Sequence, residues 1–563
     1  MTWFERRPHR LLHERAVLES LCQEGWVKSV DWVIDTQVGT AHVNIDFEAG
    51  GRIRQARLEY PFIYPSAPPR LVPRQSGERW SAHQWGSTGE LCLQIRADTW
   101  LSSQDGADML RSARHLLDIE GDVDEAGRPR QAPSDHRFTE GQLLGWEEAR
   151  LVLSDELLVE VLHRGSGVWI LDLRTSFIQD SCVFLGVGIS GSPEHERWTD
   201  LTIPDSVGKR RPGVGRIAII DHDSPRFQAL FSHDMSCEER WKAFSSIPFN
   251  GYGIIVGLLN GQVIAKFLSS DNSTKDIITI LMDKQQRSPS RNLVLAGKRV
   301  AILGCGSMGS KVAMSLARMG ISNFYLVDSD ILKVDNLVRN ELDWGEVGAH
   351  KADALAERLK RINAQVRTGR WINQLGGQTS VAELMVCLRG LKACDLIVET
   401  TGSGQGFVYA SSVSEEEGIP MIWGRVFGGG FGGYIARSRP GIEAPPLYVR
   451  NSIHHWFHTP GFPKPPADVE IDYAAGPDDQ APMIADDADV SVISAHLTHF
   501  AADVLRGPSE SDYPHSVYVI GLRKEWLFDE PFDTRPIDIS GIKVSNAAED
   551  EDNGFPQTGG TER

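Results

Sequence analysis

The seven cysteines of this 563-residue chain are scattered and odd in number, and none forms a Cys-x-x-Cys pair. That pattern excludes a disulfide framework and fits a reducing compartment, so a cytoplasmic location is expected. No run of eighteen apolar residues occurs, which excludes a membrane-spanning helix. The charged opening Met1-Thr-Trp-Phe-Glu-Arg-Arg7 has no apolar run behind it, so no signal peptide is expected. Positive charge is in short supply: 58 Lys and Arg face 76 Asp and Glu, a net charge of -18 that argues against direct nucleic-acid binding. What remains is an ordinary soluble composition, 41% apolar and 24% charged, in a chain too long for a single core.

Punctuation along the chain divides it into four segments. Residues 1–150 open with a helical pattern at Leu11–Leu21 and the alternating stretch Ala41-His-Val-Asn-Ile-Asp-Phe47, followed by the proline-rich Tyr60–Pro69. Gly121–Asp135 reads as a loop or linker. Residues 151–292 read as a middle α+β domain with apolar runs at Val168–Leu171 and Gly253–Leu259 and no evident chemistry. From 293 to 535, strands alternate with helices, which predicts a mainly parallel sheet. Residues 536–563, with Ala547-Ala-Glu-Asp-Glu-Asp-Asn553, read as an acidic, disordered tail.

The densest chemistry lies in the third of these domains. Arg299-Val-Ala-Ile-Leu303 is a short apolar strand, followed directly by Gly304-Cys-Gly-Ser-Met-Gly309 and a helix over Ser310–Met319. Strand, G-x-G-x-x-G and helix is the order in which backbone N–H groups meet phosphate oxygens. Gly304 permits the tight turn, Gly306 admits the phosphates, and Gly309 lets the helix pack on the strand. A second strand, Phe324–Val327, runs into Asp328-Ser-Asp330, about twenty residues beyond the loop, where a carboxylate meets ribose hydroxyls. A dinucleotide dehydrogenase shares this much. The next residues separate the two: Asn336-Leu-Val-Arg339-Asn340 and then Gly348-Ala-His-Lys351. Displacing pyrophosphate needs cations on the departing phosphates, and hydride transfer does not.

The order of Asp330, Asn336, Arg339 and Lys351 resembles the family of ThiF, MoeB and the ubiquitin-activating enzymes. The resemblance implies a Rossmann-like α/β domain that uses ATP and magnesium to adenylate a carboxylate, with Asp330 on ribose and Asn336, Arg339 and Lys351 on the triphosphate. It also implies a homodimer, with Arg287 or Arg291 reaching the partner subunit's nucleotide. One position departs: Gly402 stands where the family carries a magnesium-binding Asp, leaving Glu399 or Asp395 as substitutes, and no metal ligand is assigned. The four-cysteine zinc site of many activating enzymes has no counterpart.

Tyr60-Pro, Pro68-Pro69, His83, and then Gly89-Glu-Leu-Cys92-Leu-Gln-Ile-Arg96 with Trp100 resemble ubiquitin-conjugating enzymes. That resemblance implies an α+β domain in which Cys92 carries a thioester beside His83, with Gln84 replacing the family's oxyanion-steadying asparagine. The last cysteine is Cys394, expected inside the fourth strand of the parallel sheet. An activating enzyme's own acyl-accepting cysteine, expected near Asp472–Asp479, is therefore missing. Three explanations stay open: direct transfer to Cys92, an oxyester on Ser491 or Ser494, or a cysteine replaced at Ala474 or Ala475. The two-ended arrangement resembles the ligases of bacterial anti-phage operons of the CBASS type. It implies as partners a cyclic-dinucleotide synthase or ubiquitin-like protein with an activatable C-terminus, and target protein amines. The alternatives are a sulfur-carrier adenylyltransferase and a non-catalytic scaffold that binds a ubiquitin-like protein.

Overall fold

The computed structural model describes residues 2–85, 88–121, 149–179, 181–190, 196–282, 289–458 and 485–539, with Ala132 and Gly145. Arg287, most of Gly121–Asp135, the Asp472–Asp479 segment and Ala547–Asn553 lie outside these described residues. The chain forms two compact units, residues 1–142 and 143–563.

The first unit is an antiparallel meander of Val27–Asp35, Thr40–Ala49, Arg52–Tyr60 and Arg70–Pro73 in sequential order, accompanied by helices Pro8–Gln23 and Gly106–Gly121. The alternation in the second strand does what a period of two dictates: Ala41, Val43, Ile45 and Phe47 are buried, and the residues between them less so. Gly50 and Gly51 make the tight turn to the third strand, both with positive φ, 57° and 70°. A Cβ on Gly50 would lie 2.7 Å from the Leu117 carbonyl, so glycine lets this turn rest on the helix Gly106–Gly121.

Glu14 ties the unit together. Its fully buried carboxylate accepts hydrogen bonds from the Tyr60 hydroxyl (2.9 Å), the Tyr64 hydroxyl and the Gly106 N–H (2.9 Å), and pairs with Arg10 at 3.0 Å. One side chain thus joins the first long helix, the third strand, the proline-rich loop and the start of the last helix.

The second unit holds two sheets. The first begins at Ala149, two residues before the expected start of the middle domain, and its closure is not visible in the sequence. Strands Ala149–Ser154, Thr274–Met282, Gln262–Ser269, Tyr252–Leu259, Lys209–Ile219, Val168–Ile178 and Ser181–Ser190 follow one another, and the last pairs with the first. Leu157 and Val161 of the helix Asp155–Arg164 join Leu153, Trp169, Leu171 and Ile217 of these strands in one hydrophobic cluster.

The second sheet carries five parallel strands, Arg367–Trp371, Asn323–Val327, Arg299–Leu303, Leu396–Glu399 and Met421–Val426. Three antiparallel strands, Gly432–Ser438, Val517–Gly521 and Thr534–Ile537, extend it. Arg299–Leu303 stands where expected, and apart from Arg299 it is buried, as a strand covered on both faces must be. Helix Ser307–Arg318 follows this strand, and helix Gly404–Glu417 follows its neighbour Leu396–Glu399. Met308 and Val312 of the first helix belong to one hydrophobic cluster and Phe407 and Ala410 of the second to another, so the two pack on opposite faces. The crevice between those two strands is the place where such sheets bind ligands.

Cys394 is not in the fourth strand. It is buried just after the helix Val381–Lys392, its thiol donating to the Gly390 carbonyl at 3.4 Å, and the strand begins at Leu396.

Replacing Glu14 with alanine leaves the Tyr60 hydroxyl and the buried Gly106 N–H without their acceptor and removes the counter-charge of Arg10, which keeps its bonds to the Tyr64 hydroxyl and to the Ser102 carbonyl at 3.1 Å. We expect Glu14→Ala to destabilise the first unit by about 3–5 kcal/mol, measured by urea unfolding followed through tryptophan fluorescence. A change below about 1 kcal/mol would remove Glu14 from this role.

Candidate active sites

The phosphate-type loop is held by two features. Gly304 has φ +87°, and a Cβ there would sit 2.8 Å from the Thr400 carbonyl. A Cβ on Gly309 would lie 1.8 Å from the Gly304 carbonyl oxygen, a distance no side chain tolerates. The loop, the helix start and the end of the neighbouring strand therefore meet with no room for side chains. Gly306 caps helix Ser307–Arg318, and a Cβ there would meet nothing within 4 Å, which leaves the helix N-terminus open.

Asp328 locks this loop from the second strand. Its carboxylate accepts the Cys305 N–H at 2.7 Å and the Asp330 N–H at 2.8 Å. Burial raises its pKa, opposed by those two N–H bonds and by the charge of Lys351. Asp328 is thus spent on the backbone, and Asp330 is the exposed acid of the pair. Asp330 Oδ2 receives Lys351 Nζ at 2.9 Å, and its backbone carbonyl receives the Lys351 N–H at 2.9 Å.

One cavity of about 420 Å³ opens at this crevice. Gly306, Asn336, Arg339, Asn340 and Lys351 line it together. Asn336 Oδ1 accepts the Lys333 N–H at 3.1 Å, which fixes the short turn Val334–Val338, and Asn340 Nδ2 donates to the Cys305 carbonyl at 3.2 Å. Lys311 was not anticipated: it is buried in the first turns of the loop's helix and pairs with Glu341 (3.2 Å) and Asp487 (2.7 Å).

The far side of the cavity also escaped the sequence reading. Trp423, Arg425 and Tyr434 line it from the fifth and sixth strands, with Phe407 and Arg450 from the flanking helices. Arg425 lies near the carboxyl end of a parallel strand, the position where α/β sheets present ligand contacts, and that was the available signal. Arg450 carried none; it stacks over the Phe407 ring at 4.7 Å.

Several expected substitutes fall away. Asp395 sits at the opposite end of its strand, accepting the Arg299 N–H at 2.8 Å, roughly 13 Å of strand away from the crevice. Glu399 does line the cavity, but it is fully buried, takes both the N–H (2.9 Å) and the hydroxyl of Thr401, and burial raises its pKa. Gly402 has φ +70° and open space at its Cβ position. Among the described residues no group of three His, Cys, Asp or Glu is placed to hold a metal ion. Arg291 is exposed and pairs with Asp512 at 3.7 Å, and it does not line the cavity. Ser494 is buried in helix Asp487–Arg506 and cannot present an oxyester, while Ser491 is half-buried. Burial pushes the Cys394 thiol up to about 12 and the Cys387 thiol up to about 11, so neither is a nucleophile at neutral pH.

In the first unit, Cys92 lines a separate cleft of about 180 Å³ with Pro68, Pro69, Trp85, Glu90 and Arg96. The Cys92 N–H donates to the His83 carbonyl at 2.8 Å, and an isolated bridge joins Gln84 to Leu91. The His83 ring faces elsewhere, hydrogen-bonding the Ala132 carbonyl at 2.8 Å. Gln84 does not replace an oxyanion donor: its amide donates to the Glu78 (3.0 Å) and Gly89 (2.9 Å) carbonyls and accepts the Trp80 N–H (2.8 Å). Both His83 and Gln84 brace the loop that presents the thiol. Burial raises the Cys92 pKa, Arg96 lowers it, and Glu90 and Asp98 raise it.

A glycine loop at the switch point of a parallel sheet, with an acid on the second strand and cations across the cavity, defines an α/β domain of the Rossmann type. Residues 285–443 match the model of the ThiF family, so the chain carries a ThiF-family domain. It is similar to the uncharacterized protein y4qC of Sinorhizobium fredii, 25% identical over 346 residues, or 55% of this chain and 57% of that protein. It is also similar to the ATP-dependent ubiquitin transferase-like protein Cap2 of Enterobacter hormaechei, 33% identical over 108 residues, or 19% of this chain and 17% of Cap2. A crystal structure of E. coli MccB with ATP aligns at 18% identity and TM-score 0.33, covering 44% of this chain and 66% of that one. The chain spans from 17% to 57% of the length of the curated relatives nearest the top of the comparison.

A thiol raised by burial ionises late. We expect iodoacetamide alkylation of Cys92 to rise about tenfold per pH unit from 7 to 9, as the thiolate fraction grows. Arg96→Gln should lower the rate at each pH in that range. A plateau below pH 7.5 would show a thiolate already formed.

Proposed function

We propose that the chain uses ATP to adenylate the C-terminal carboxylate of a partner protein, passes the acyl group to Cys92 as a thioester, and delivers it to a target amine. The observation that carries the first step is the convergence of Arg339, Lys351 and Asn336 on the open helix N-terminus at Gly306. The partner's carboxylate oxygen attacks the α-phosphorus, and pyrophosphate departs toward these cations. Their charge matters most in the transition state, when negative charge gathers on the leaving oxygens. Asp330, exposed and paired with the cavity-lining Lys351 at 2.9 Å, is the acid for the ribose hydroxyls. This family's magnesium ion finds no protein cage among the described residues, since Glu399 is the one carboxyl lining the cavity and its bonds go to Thr401. ATP fits the residues present; a protein-held magnesium does not.

In the second step the Cys92 sulfur attacks the acyl carbon and AMP leaves. Direct transfer is the simplest route because the sequence has no cysteine after Cys394 and Ser494 is buried. We read the segments as a ubiquitin-conjugating-like domain at 1–150, a middle domain at 151–292 and a ThiF-type domain at 293–535. In this reading the protein acts as a homodimer in bacterial anti-phage defence, on a cyclic-dinucleotide synthase or a ubiquitin-like protein. Similarity to Cap2, a ubiquitin transferase-like protein by name, supports this choice over sulfur-carrier activation.

ATP is expected to raise the thermal unfolding temperature of the full chain, and NAD is not. At about 100 times its Kd, ATP should add roughly 2.7 kcal/mol of apparent stability. Lys351→Ala and Arg339→Ala should each reduce that gain. Equal stabilisation by NAD, untouched by either substitution, returns a dinucleotide enzyme to favour.

Expressed beside its neighbouring genes, the protein should carry an adduct on Cys92 that reducing thiols cleave. Cys92→Ser should trap it as a thiol-resistant oxyester. Conjugates still formed by Cys92→Ala would leave the adenylating half of the proposal alone.

A further inference from the structure

Glu90 is an anomaly in the Cys92 cleft. Its side chain is half-buried, lines the cleft two residues before Cys92, and has no hydrogen-bond or ion-pair partner among the described residues. Every neighbouring cation is already engaged. Arg70, across the strand pairing, holds Glu59 at 2.6 Å, and Arg96, on the other wall of the cleft, holds Asp98 at 2.7 Å. A carboxylate taken partly out of water without compensation costs free energy, and proteins rarely leave one so placed without a use. Burial raises the Glu90 pKa, Arg70 lowers it and Glu59 raises it again.

Resting on the reading of Cys92 as the thioester carrier, we infer that Glu90 is a catalytic residue of the last step, the general base that takes a proton from the incoming amine. An amine arriving as an ammonium ion has no lone pair to attack with. The Glu90 carboxylate accepts one N–H proton, and the freed lone pair forms the C–N bond at the thioester carbonyl. The tetrahedral adduct loses a second proton to water, the C–S bond breaks, and Glu90 returns its proton to the departing Cys92 sulfur. The balance is thioester plus ammonium giving amide, thiol and one released proton. The geometry suits the role: Glu90 and Cys92 line one cleft, with Pro68 and Pro69 on it as well.

The test uses the full chain in a Cys22→Ser background, since Cys22 is the exposed cysteine. A fluorescent Gly-Gly peptide α-thioester serves as acyl donor, and mass spectrometry locates the acyl group. Discharge of the Cys92 thioester is then timed with two nucleophiles, free lysine and hydroxylamine, the latter neutral at pH 7. Glu90→Gln should slow discharge to lysine by about tenfold or more. It should leave discharge to hydroxylamine within about twofold, because that amine arrives neutral at pH 7 with its lone pair already free. The lysine rate of the parent should fall as pH drops through the Glu90 pKa, an inflection missing from Glu90→Gln. Glu90→Asp should recover part of the rate. Equal slowing with both nucleophiles would mean a structural role, and no slowing with lysine would mean no role; either overturns the inference. If Cys92 takes no acyl group, the thioester reading fails and this inference falls with it.

Discussion

The structure depends on a place where three backbones approach with no side chain between them. Gly304 turns under the Thr400 carbonyl, and Gly309 presses on Gly304 so closely that a single methyl group would have to occupy the Gly304 oxygen. Because of this approach, helix Ser307–Arg318 starts at the sheet's edge with its N–H groups pointing into the crevice. The Thr400 hydroxyl donates to the carbonyls of Leu303 (2.8 Å) and Gly304 (2.9 Å), which joins the first and fourth strands at their ends. Widening the contact by one carbon would move the loop, the helix and the cavity wall together.

Buried carboxylates do much of the remaining construction. Asp328 holds the loop, and Glu14 holds the first unit. Asp503 and Glu443 receive Arg437, whose side chain is fully buried and also donates to the Tyr513 carbonyl. Such groups are stable only with every lone pair occupied, which makes them rigid fixtures. The cations that line the cavity are held more lightly: Arg339, just after the turn Val334–Val338, donates to the Ala485 carbonyl at 3.5 Å, and Lys351 opens the helix Lys351–Ile362. Lys351 is held twice by Asp330, through its side chain and its backbone, so its position is set before any ligand arrives.

How much of this was legible in the sequence follows from how local each signal is. Arg299–Leu303, the glycine loop and its helix occupy adjacent residues, so their pattern was readable end to end. Asp330, Asn336, Arg339 and Lys351 lie within about one helix-turn-strand unit, and their order carried over through a family resemblance. The closed ring of strands was not legible, because Ala149–Ser154 pairs with partners both near it and more than a hundred residues later. Nothing in an apolar run reports which edges will meet. Cys394 and Asp395 were misplaced by a few residues at a helix–strand boundary, where hydrophobic periodicity is least informative. That small error reversed the meaning of Asp395, which lies at the wrong end of its strand. Gln84 failed for another reason: amide chemistry was legible, but the three bonds that consume it depend on how the loop folds.

If the chain carries out the proposed reaction, the contrast between the two sites gives a reason to keep both. In the proposed reaction, attack of the partner's carboxylate on the α-phosphorus of ATP, with loss of pyrophosphate, supplies an acyl adenylate, an electrophile reactive enough for a poor nucleophile. The Cys92 thiol, raised by its surroundings, is mostly protonated at neutral pH and is therefore slow toward ordinary esters and oxidants. Against an acyl adenylate that reluctance matters little, since AMP is a far better leaving group than the thiolate it yields to. In the proposed sequence the thioester is milder than the adenylate and meets the Glu90 carboxylate, which lines the same cleft. Each transfer lowers the reactivity of the acyl group and narrows what can accept it, so selectivity accumulates along the sequence of sites without any one of them being highly reactive.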